Sequence, residues 1–241
     1  MSQSFINLAY GLLFVFASTS LGSAVALFLG DRAIKSGTAL INGLSAGIML
    51  ASCVWSLILP ALDFGQGYIG VAAGFVVGTL VFAILGVALK EDENGGYKRL
   101  FFAITAHNIP EGASVGFGYG AAAAGLITPA AALGLAIGIG VQNFPEGAAV
   151  SMPARKIYSR KKSLLLGIIS GAVEPIAGLA GYFLCSYASR VMPYCMSFAA
   201  AAMIFTVFSE LAKDITEKPL IGPIGVCLGF LFMMTLDVLL G

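Results

Sequence analysis

The sequence predicts an all-α integral membrane protein with eight transmembrane helices. Three observations predict this class. Hydrophobic residues make up 59% of the 241 residues and charged residues only 10%, which is more apolar surface than the core of one soluble domain can bury. Eight apolar stretches each reach the roughly 20 residues that a helix needs to cross a bilayer. The connectors are too short to hold a soluble domain, so residues 1–241 are predicted to form one transmembrane domain in contact with lipid.

The eight predicted helices are separated by connectors that contain Gly, Pro or charged residues, which commonly end helices. The approximate helix bounds are 5–30, 38–62, 67–90, 99–120, 128–153, 163–187, 191–212 and 219–240. The connectors, in the same order, are GDRAIKSG, DFGQG, KEDENGGYKR, GLITP, ARKIYSRKK, SYASR and KDITEKP. No positively charged segment precedes the first helix, so we expect it to be a retained span and not a cleaved signal peptide.

The positive charges predict the orientation of these helices. All but one of the 13 Lys and Arg lie in connectors 1, 3, 5 and 7, and the exception is Arg190. Because cytoplasmic loops are enriched in Lys and Arg, the odd connectors are predicted to be cytoplasmic and both termini to lie on the other side, in a cell (inner) membrane. The net charge of only +1 argues against a nucleic-acid partner.

The four cysteines do not predict a structural zinc site. Cys53, Cys185, Cys195 and Cys227 show no C-x-x-C spacing. Buried free thiols are the simpler interpretation. Because Cys185 and Cys195 flank the sixth connector, on the non-cytoplasmic side, a disulfide between them is a further hypothesis.

Three glutamates near the middle of predicted helices are the strongest functional signal. Glu111, Glu146 and Glu174 lie in the fourth, fifth and sixth helices, and Glu210 lies toward the cytoplasmic end of the seventh. A charged residue at a helix centre costs about 2.5 to 3.5 kcal/mol on insertion scales. The three central carboxylates therefore need protonation, mutual hydrogen bonds or a bound cation.

The surrounding motifs favour a bound cation. HNIPEG (residues 107–112) is nearly repeated as QNFPEG (residues 142–147). His107 with Glu111, and Gln142 with Glu146, are four residues apart and share a helix face. Each proline deprives a carbonyl, that of Ala106 or Val141, of its helical donor and predicts a broken helix at membrane depth, as in ion pathways.

The ligand types predict a divalent transition metal. One imidazole with carboxylates and the amides of Asn108 and Asn143 forms a mixed nitrogen and oxygen set, which suits Zn(II), Fe(II) or Mn(II) better than Ca(II) or Mg(II). Met49 in the second helix could add a soft ligand, although thioethers more often fill gaps between helices. No catalytic cofactor is predicted.

Three alternative functions use the same residues. A channel-like passive metal pathway could be lined by the same ligands, and a proton-stabilised carboxylate cluster would be purely structural. GASVG (residues 112–116) matches the G-x-S-x-G motif of serine hydrolases, with His107 nearby. That motif needs a strand-to-helix turn, whereas here it lies inside a predicted helix, so we expect the protein not to be an enzyme.

The motifs HNIPEG, QNFPEG and SGAVEPIAG (residues 170–178), in an eight-helix chain, resemble the ZIP (Zrt/Irt-like) divalent metal transporters, in particular their GufA-like branch. The resemblance covers essentially the whole chain. It implies a ZIP-like helix bundle with a two-metal site at the membrane midplane, an elevator-type movement that carries metal toward the cytoplasm, and homodimers.

The resemblance also implies which residues bind each ion. The first position would use His107, Glu111, Gln142 and Glu146 with Met49, and the second would use Asn108, Glu111, Asn143, Glu146 and Glu174, so that Glu111 and Glu146 bridge. The chain departs from relatives that have histidine at Gln142 or aspartate at Asn143. The third connector also lacks the histidines of larger relatives, which argues against a metal-sensing loop.

Overall fold

The structure is a computed structural model and describes residues 3–63, 67–88, 97–184 and 188–240, without the side chains at 31–33, 35, 36, 188, 189 and 240. Most of the third connector, with Lys90, lies outside the described residues, as does Cys185. The Cys185–Cys195 disulfide therefore stays a prediction. The described residues form helices and short connectors and contain no strand, which confirms the all-α class.

Eleven α-helices are found in the described part of the chain. They are α1 (Gln3–Phe28), α2 (Asp31–Ser52), α3 (Leu59–Asp63), α4 (Gly67–Ala88), α5 (Tyr97–Ala123), α6 (Pro129–Ala154), α7 (Arg160–Gly171), α8 (Val173–Phe183), α9 (Ala188–Thr206), α10 (Ala212–Glu217) and α11 (Ile221–Leu240). Single π-helical turns, Cys53–Ile58 and Val207–Leu211, join α2 to α3 and α9 to α10.

Six helical stretches in the described residues are long and apolar enough to cross a membrane. They are Gln3–Phe28, Gly37–Asp63, Gly67–Ala88, Arg160–Phe183, Arg190–Glu217 and Ile221–Leu239. Helices α5 and α6, with 27 and 26 residues, have the length but carry the polar HNIPEG and QNFPEG motifs, which lower their hydropathy. A multi-pass helical membrane protein is thus supported, and the count of eight spans stays a prediction.

The predicted sixth helix, 163–187, is divided in two. Helix α7 ends at Gly171 and α8 begins at Val173, with Ala172 between them. Pro175 has no amide hydrogen to donate, and its ring would clash with the carbonyl of Gly171 in a continuous helix. The break therefore lies at Ala172, two residues before Glu174.

The motif helices, by contrast, are continuous. Helix α5 passes through Pro110 and α6 through Pro145. The prediction of broken helices at these two prolines was wrong, because a proline removes one hydrogen bond and neighbouring helices can support the turn.

The described helices pack as two bundles. In the first bundle α1 lies along α6 and α7, and α5 lies along α8. In the second bundle, which also includes α3 and α10, α2 lies along α11 and α4 along α9. The bundles meet where α5 contacts α9 and where α2 contacts α6.

Glycines allow close backbone contact inside each bundle. A Cβ on Gly112 of α5 would lie 2.6 Å from Cα of Glu174 in α8, and a Cβ on Gly74 of α4 would lie 2.7 Å from Cα of Tyr194 in α9. Gly37 and Gly138 face the other bundle, and their nearest neighbours are side-chain atoms, at 3.8 Å and at 3.0 Å respectively. The close backbone contacts at Gly112 and Gly74 thus lie within the bundles.

One ion pair joins the two bundles near the beginning of α5. Nε of Arg99 lies 2.7 Å from Oε1 of Glu210, which belongs to the π-helical turn after α9. The Glu210 side chain is 5% exposed. Sequence alone did not indicate which residue interacts with Glu210. In the structure Arg99 does so.

Candidate metal centre

The histidine and two glutamates of the repeated motifs meet at one point between α5 and α6. One ligating atom from each of His107, Glu111 and Glu146 lies within 4.8 Å of the other two. Nε2 of His107 is 3.4 Å from Oε2 of Glu146. All three side chains are buried. The i,i+4 spacing thus directs His107 and Glu111 from α5 toward the same point on α6.

Three amide side chains lie in this cluster, and each uses its NH2 group in a hydrogen bond to another residue. Nε2 of Gln142 donates to Oε1 of Glu111 at 2.7 Å. Nδ2 of Asn143 donates to Oε1 of Glu174 at 2.8 Å, and Nδ2 of Asn108 donates to the carbonyl of Ser170 at 3.0 Å. The amide oxygens, which are the atoms of these residues that can bind a metal, have no hydrogen-bond partner among the described residues.

The α7–α8 break brings the third glutamate to the same region. Glu174 lies in the first turn of α8, two residues after Ala172. The hydrogen bonds of Asn143 and Asn108 connect α6 to Glu174 and α5 to the end of α7. The motif helices and the break are therefore parts of one polar cluster.

Six buried oxygen atoms of this cluster have no hydrogen-bond partner among the described residues. They are Oδ1 of Asn108, Oε2 of Glu111, Oε1 of Gln142, Oδ1 of Asn143, Oε1 of Glu146 and Oε2 of Glu174. Buried polar atoms in native proteins are nearly always paired. Burying so many unpaired acceptors in one place costs free energy. A bound cation would remove this cost, because it interacts with the lone pairs of several acceptors at once.

The donor set fits a divalent transition metal. It offers imidazole nitrogen and carboxylate and amide oxygens, the mixed ligands of Zn(II) and similar ions. The remaining predicted residue, Met49 of α2, is also buried. Its Sδ lies 3.9 Å from the hydroxyl of Ser45. Cys53, one turn further on, begins the π-helical turn that follows α2 and is also buried.

The geometry does not favour the hydrolase alternative. Oγ of Ser114 donates to the carbonyl of Pro110 at 2.8 Å within α5, as a serine in a helix commonly does. His107 contacts Glu146 and not Ser114.

Two polar residues at the cluster were missed by the sequence reasoning. Oγ1 of Thr19, on α1, donates to Oε1 of Glu174 at 3.2 Å. The Ser170 carbonyl accepts from Asn108, and its hydroxyl lies 3.1 Å from Oγ1 of Thr105. Single Ser and Thr residues are common in membrane helices, so their only signal is a polar position within an apolar stretch.

Comparison with known proteins supports the resemblance noted in the motifs. No protein-family profile matches the chain. The chain is 32% identical to the zinc transporter ZIP11 of Xenopus tropicalis, over 96% of each protein. It is also 32% identical to the zinc transporter GufA of Myxococcus xanthus, over 83% of this chain and 85% of GufA.

A shorter match to human zinc transporter ZIP11 is 36% identical and spans 59% of this chain and 43% of that protein. These relatives are named as transporters, and the chain is accordingly not an enzyme. At these identities and this coverage, the chain belongs to the ZIP (Zrt/Irt-like) family of divalent metal transporters.

Proposed function

We propose that the chain carries a divalent transition metal across a membrane toward the cytoplasm, and that zinc is its main substrate. The metal is the substrate and not a resident cofactor. The observation that carries the proposal is the buried cluster of six oxygen atoms on α5, α6 and α8 that have no hydrogen-bond partner among the described residues. The relatives named as zinc transporters support the choice of ion.

The site holds two ions in this proposal. The first is bound by His107, Glu111, Gln142 and Glu146, with Met49 approaching from α2. The second is bound by Asn108, Glu111, Asn143, Glu146 and Glu174. Glu111 and Glu146 bridge the ions, a role supported by the grouping of both carboxylates with His107 and by the unpaired oxygen that each retains.

Eight transmembrane spans carry this site. Helices α5 and α6 are the seventh and eighth spans, in addition to the six apolar stretches. They are long enough to cross the membrane, and the polar residues of their motifs are buried within the protein. The distribution of Lys and Arg supports a cytoplasmic position for the odd connectors and a non-cytoplasmic position for both termini. By family resemblance the protein is a homodimer in the cell (inner) membrane.

Movement of the first bundle against the second alternates access to the site. The glycine contacts support this elevator-type movement, since they interlock the backbones of α5 and α8 and of α4 and α9, within the bundles. Buried methionines of α9 (Met192, Met196 and Met203) belong to a hydrophobic cluster that contains residues of both bundles. Flexible thioethers can repack as two surfaces slide.

Uptake into proteoliposomes tests the proposal. Purified protein should take up zinc with saturation and counterflow, and cadmium, iron, manganese or cobalt should compete according to their affinity for the site. Glu111→Gln should abolish most uptake, whereas Glu217→Gln, at an exposed position, should not. Uptake without saturation or counterflow would indicate a channel-like pathway, and no uptake of any of these ions would contradict the proposal.

A further inference from the structure

Helix α1 carries none of the motifs, yet one of its side chains contacts the cluster. Thr19 is buried, and its Oγ1 lies 3.2 Å from Oε1 of Glu174, 155 residues away in sequence. We propose that Thr19 is a positioning residue, whose hydroxyl holds Oε1 of Glu174 so that Oε2 is available to the second ion. The inference rests on the proposed function, because it concerns the ion assigned to Glu174.

The carboxylate of Glu174 needs such positioning. The last torsion of a glutamate side chain is broad and roughly two-fold, so the two oxygens can exchange places unless hydrogen bonds distinguish them. Oε1 receives two donors, Nδ2 of Asn143 at 2.8 Å and Oγ1 of Thr19 at 3.2 Å. Oε2 is buried and receives none from the described residues. The two donors therefore distinguish the oxygen that stays bound to protein from the oxygen that can bind metal.

Thr19 is itself held in place by two other helices of the first bundle. A Cβ on Gly171, the last residue of α7, would lie 2.9 Å from both Cβ and Cγ2 of Thr19. A Cβ on Gly147 of α6 would lie 2.9 Å from the carbonyl carbon of Thr19. Because α6 and α7 pack this closely against Thr19, its hydroxyl has a fixed position relative to the α7–α8 break and to Glu174.

A second acceptor provides the competing interpretation. Oγ1 of Thr19 also lies 3.3 Å from the carbonyl of Val15, one turn earlier in α1. A hydroxyl has one hydrogen to donate. If it served only Val15, the residue would be an ordinary helix threonine, and its hydroxyl would not affect metal binding. A glutamate that binds a metal is ionised, and an ionised carboxylate is the stronger acceptor, which favours the bond to Glu174 when the second ion is bound.

Zinc binding by purified protein in detergent separates the two interpretations. Thr19→Val keeps the side-chain shape and removes the hydroxyl, and Thr19→Ser keeps the hydroxyl. Thr38→Val is a matched control, since Thr38 is also buried and donates to a carbonyl of its own helix, that of Ile34, at 2.6 Å. We expect Thr19→Val to lower the affinity for the second zinc ion about tenfold or more, as loss of a hydrogen bond to a metal ligand typically does. Thr19→Ser and Thr38→Val should bind as the wild type does.

Combination with Glu174→Gln shows whether Thr19 acts through Glu174. In the Glu174→Gln background, Thr19→Val should not weaken the remaining zinc further. Apo-protein melting curves accompany every variant, and Thr19→Ala replaces Thr19→Val if the latter does not fold. Wild-type affinity in a folded Thr19→Val protein, or an equal loss with and without Glu174, would overturn the inference.

The same titrations distinguish failure of this inference from failure of the proposed function. A wild-type protein that binds a single zinc ion contradicts the two-ion site. The proposed role of Thr19 then stands only if Thr19→Val and Glu174→Gln both lower the affinity for that single ion. Zinc binding that is insensitive to Glu174→Gln would contradict both.

Discussion

Nδ2 of Asn143 on α6 donates to Oε1 of Glu174 on α8 across 2.8 Å, and this bond ties the second repeated motif to the break between α7 and α8. The bond turns the amide NH2 group toward Glu174 and leaves Oδ1 of Asn143 buried without a partner among the described residues. In the proposed two-ion site Asn143 is a neutral ligand, and its neutrality has a consequence for the charge balance. Two divalent ions carry four positive charges, and Glu111, Glu146 and Glu174 supply three negative ones.

The charge shortfall predicts that Asn143→Asp raises the affinity for the second ion and slows transport. The substitution adds a fourth carboxylate to a buried site, which favours full occupancy, whereas conduction needs ligands that also let the ion go. Zinc affinity and uptake rate are measured on the same preparation, with Glu217→Gln as a charge control away from the cluster. Faster uptake with undiminished affinity would contradict the assignment of Asn143.

The pH dependence of metal binding should depend on His107, the only histidine in the chain. A metal binds neutral imidazole, so protons compete with zinc as the pH falls through the range where an unperturbed histidine titrates, about pH 6.5. Lower pH should therefore weaken zinc binding, and His107→Ala should reduce this response, with the buried carboxylates of the site accounting for the part that remains. Zinc titrations over this pH range provide the measurement. A variant that keeps the wild-type pH response would exclude His107 as a ligand.

The Arg99–Glu210 ion pair, 2.7 Å long, joins α5 to the π-helical turn after α9 and so connects the two bundles. If the bundles move relative to each other, the pair must separate during transport. Glu210→Gln should then change the uptake rate by up to about fivefold, the range of a partly exposed ion pair, without changing zinc affinity. Rate and affinity in proteoliposomes are compared with those of Glu217→Gln. A change in affinity alone would place Glu210 in the binding site instead.

The orientation predicts where a thiol can be labelled. Ser159 is exposed and caps the beginning of α7 through a bond from the amide of Lys162. Five basic residues lie in the ARKIYSRKK connector around it, so Ser159→Cys should be unreactive toward a membrane-impermeant reagent in intact cells and reactive after permeabilisation. Labelling in intact cells would reverse the orientation, and with it the direction of transport.

The local features of the cluster could be predicted from sequence. The i,i+4 spacing within one helix determines that His107 and Glu111 share a face, whatever the rest of the chain does. The repeat of the motif then indicates a partner helix with the same geometry. The helical class follows in the same way, from composition and the length of apolar stretches.

The long-range features could not be predicted. The contact between Thr19 and Glu174 depends on how α1 packs on α6 and α7, through glycines whose partners are not evident in the sequence. The partner of Glu210 likewise depends on how α5 crosses α9. At the prolines, the residue type indicates a lost hydrogen bond but not its consequence, since α5 and α6 stay continuous through Pro110 and Pro145 while the chain breaks before Pro175.

The number of zinc ions bound per chain at saturation tests the two-ion site most directly. It is measured on metal-stripped, reloaded protein, for the wild type, Glu174→Gln, Glu146→Gln and the control Glu217→Gln. We expect two ions for the wild type and the control, one ion for Glu174→Gln, and weakened binding of both ions for Glu146→Gln, which removes a bridge. One ion per wild-type chain, or two undiminished ions in Glu174→Gln, would contradict the account.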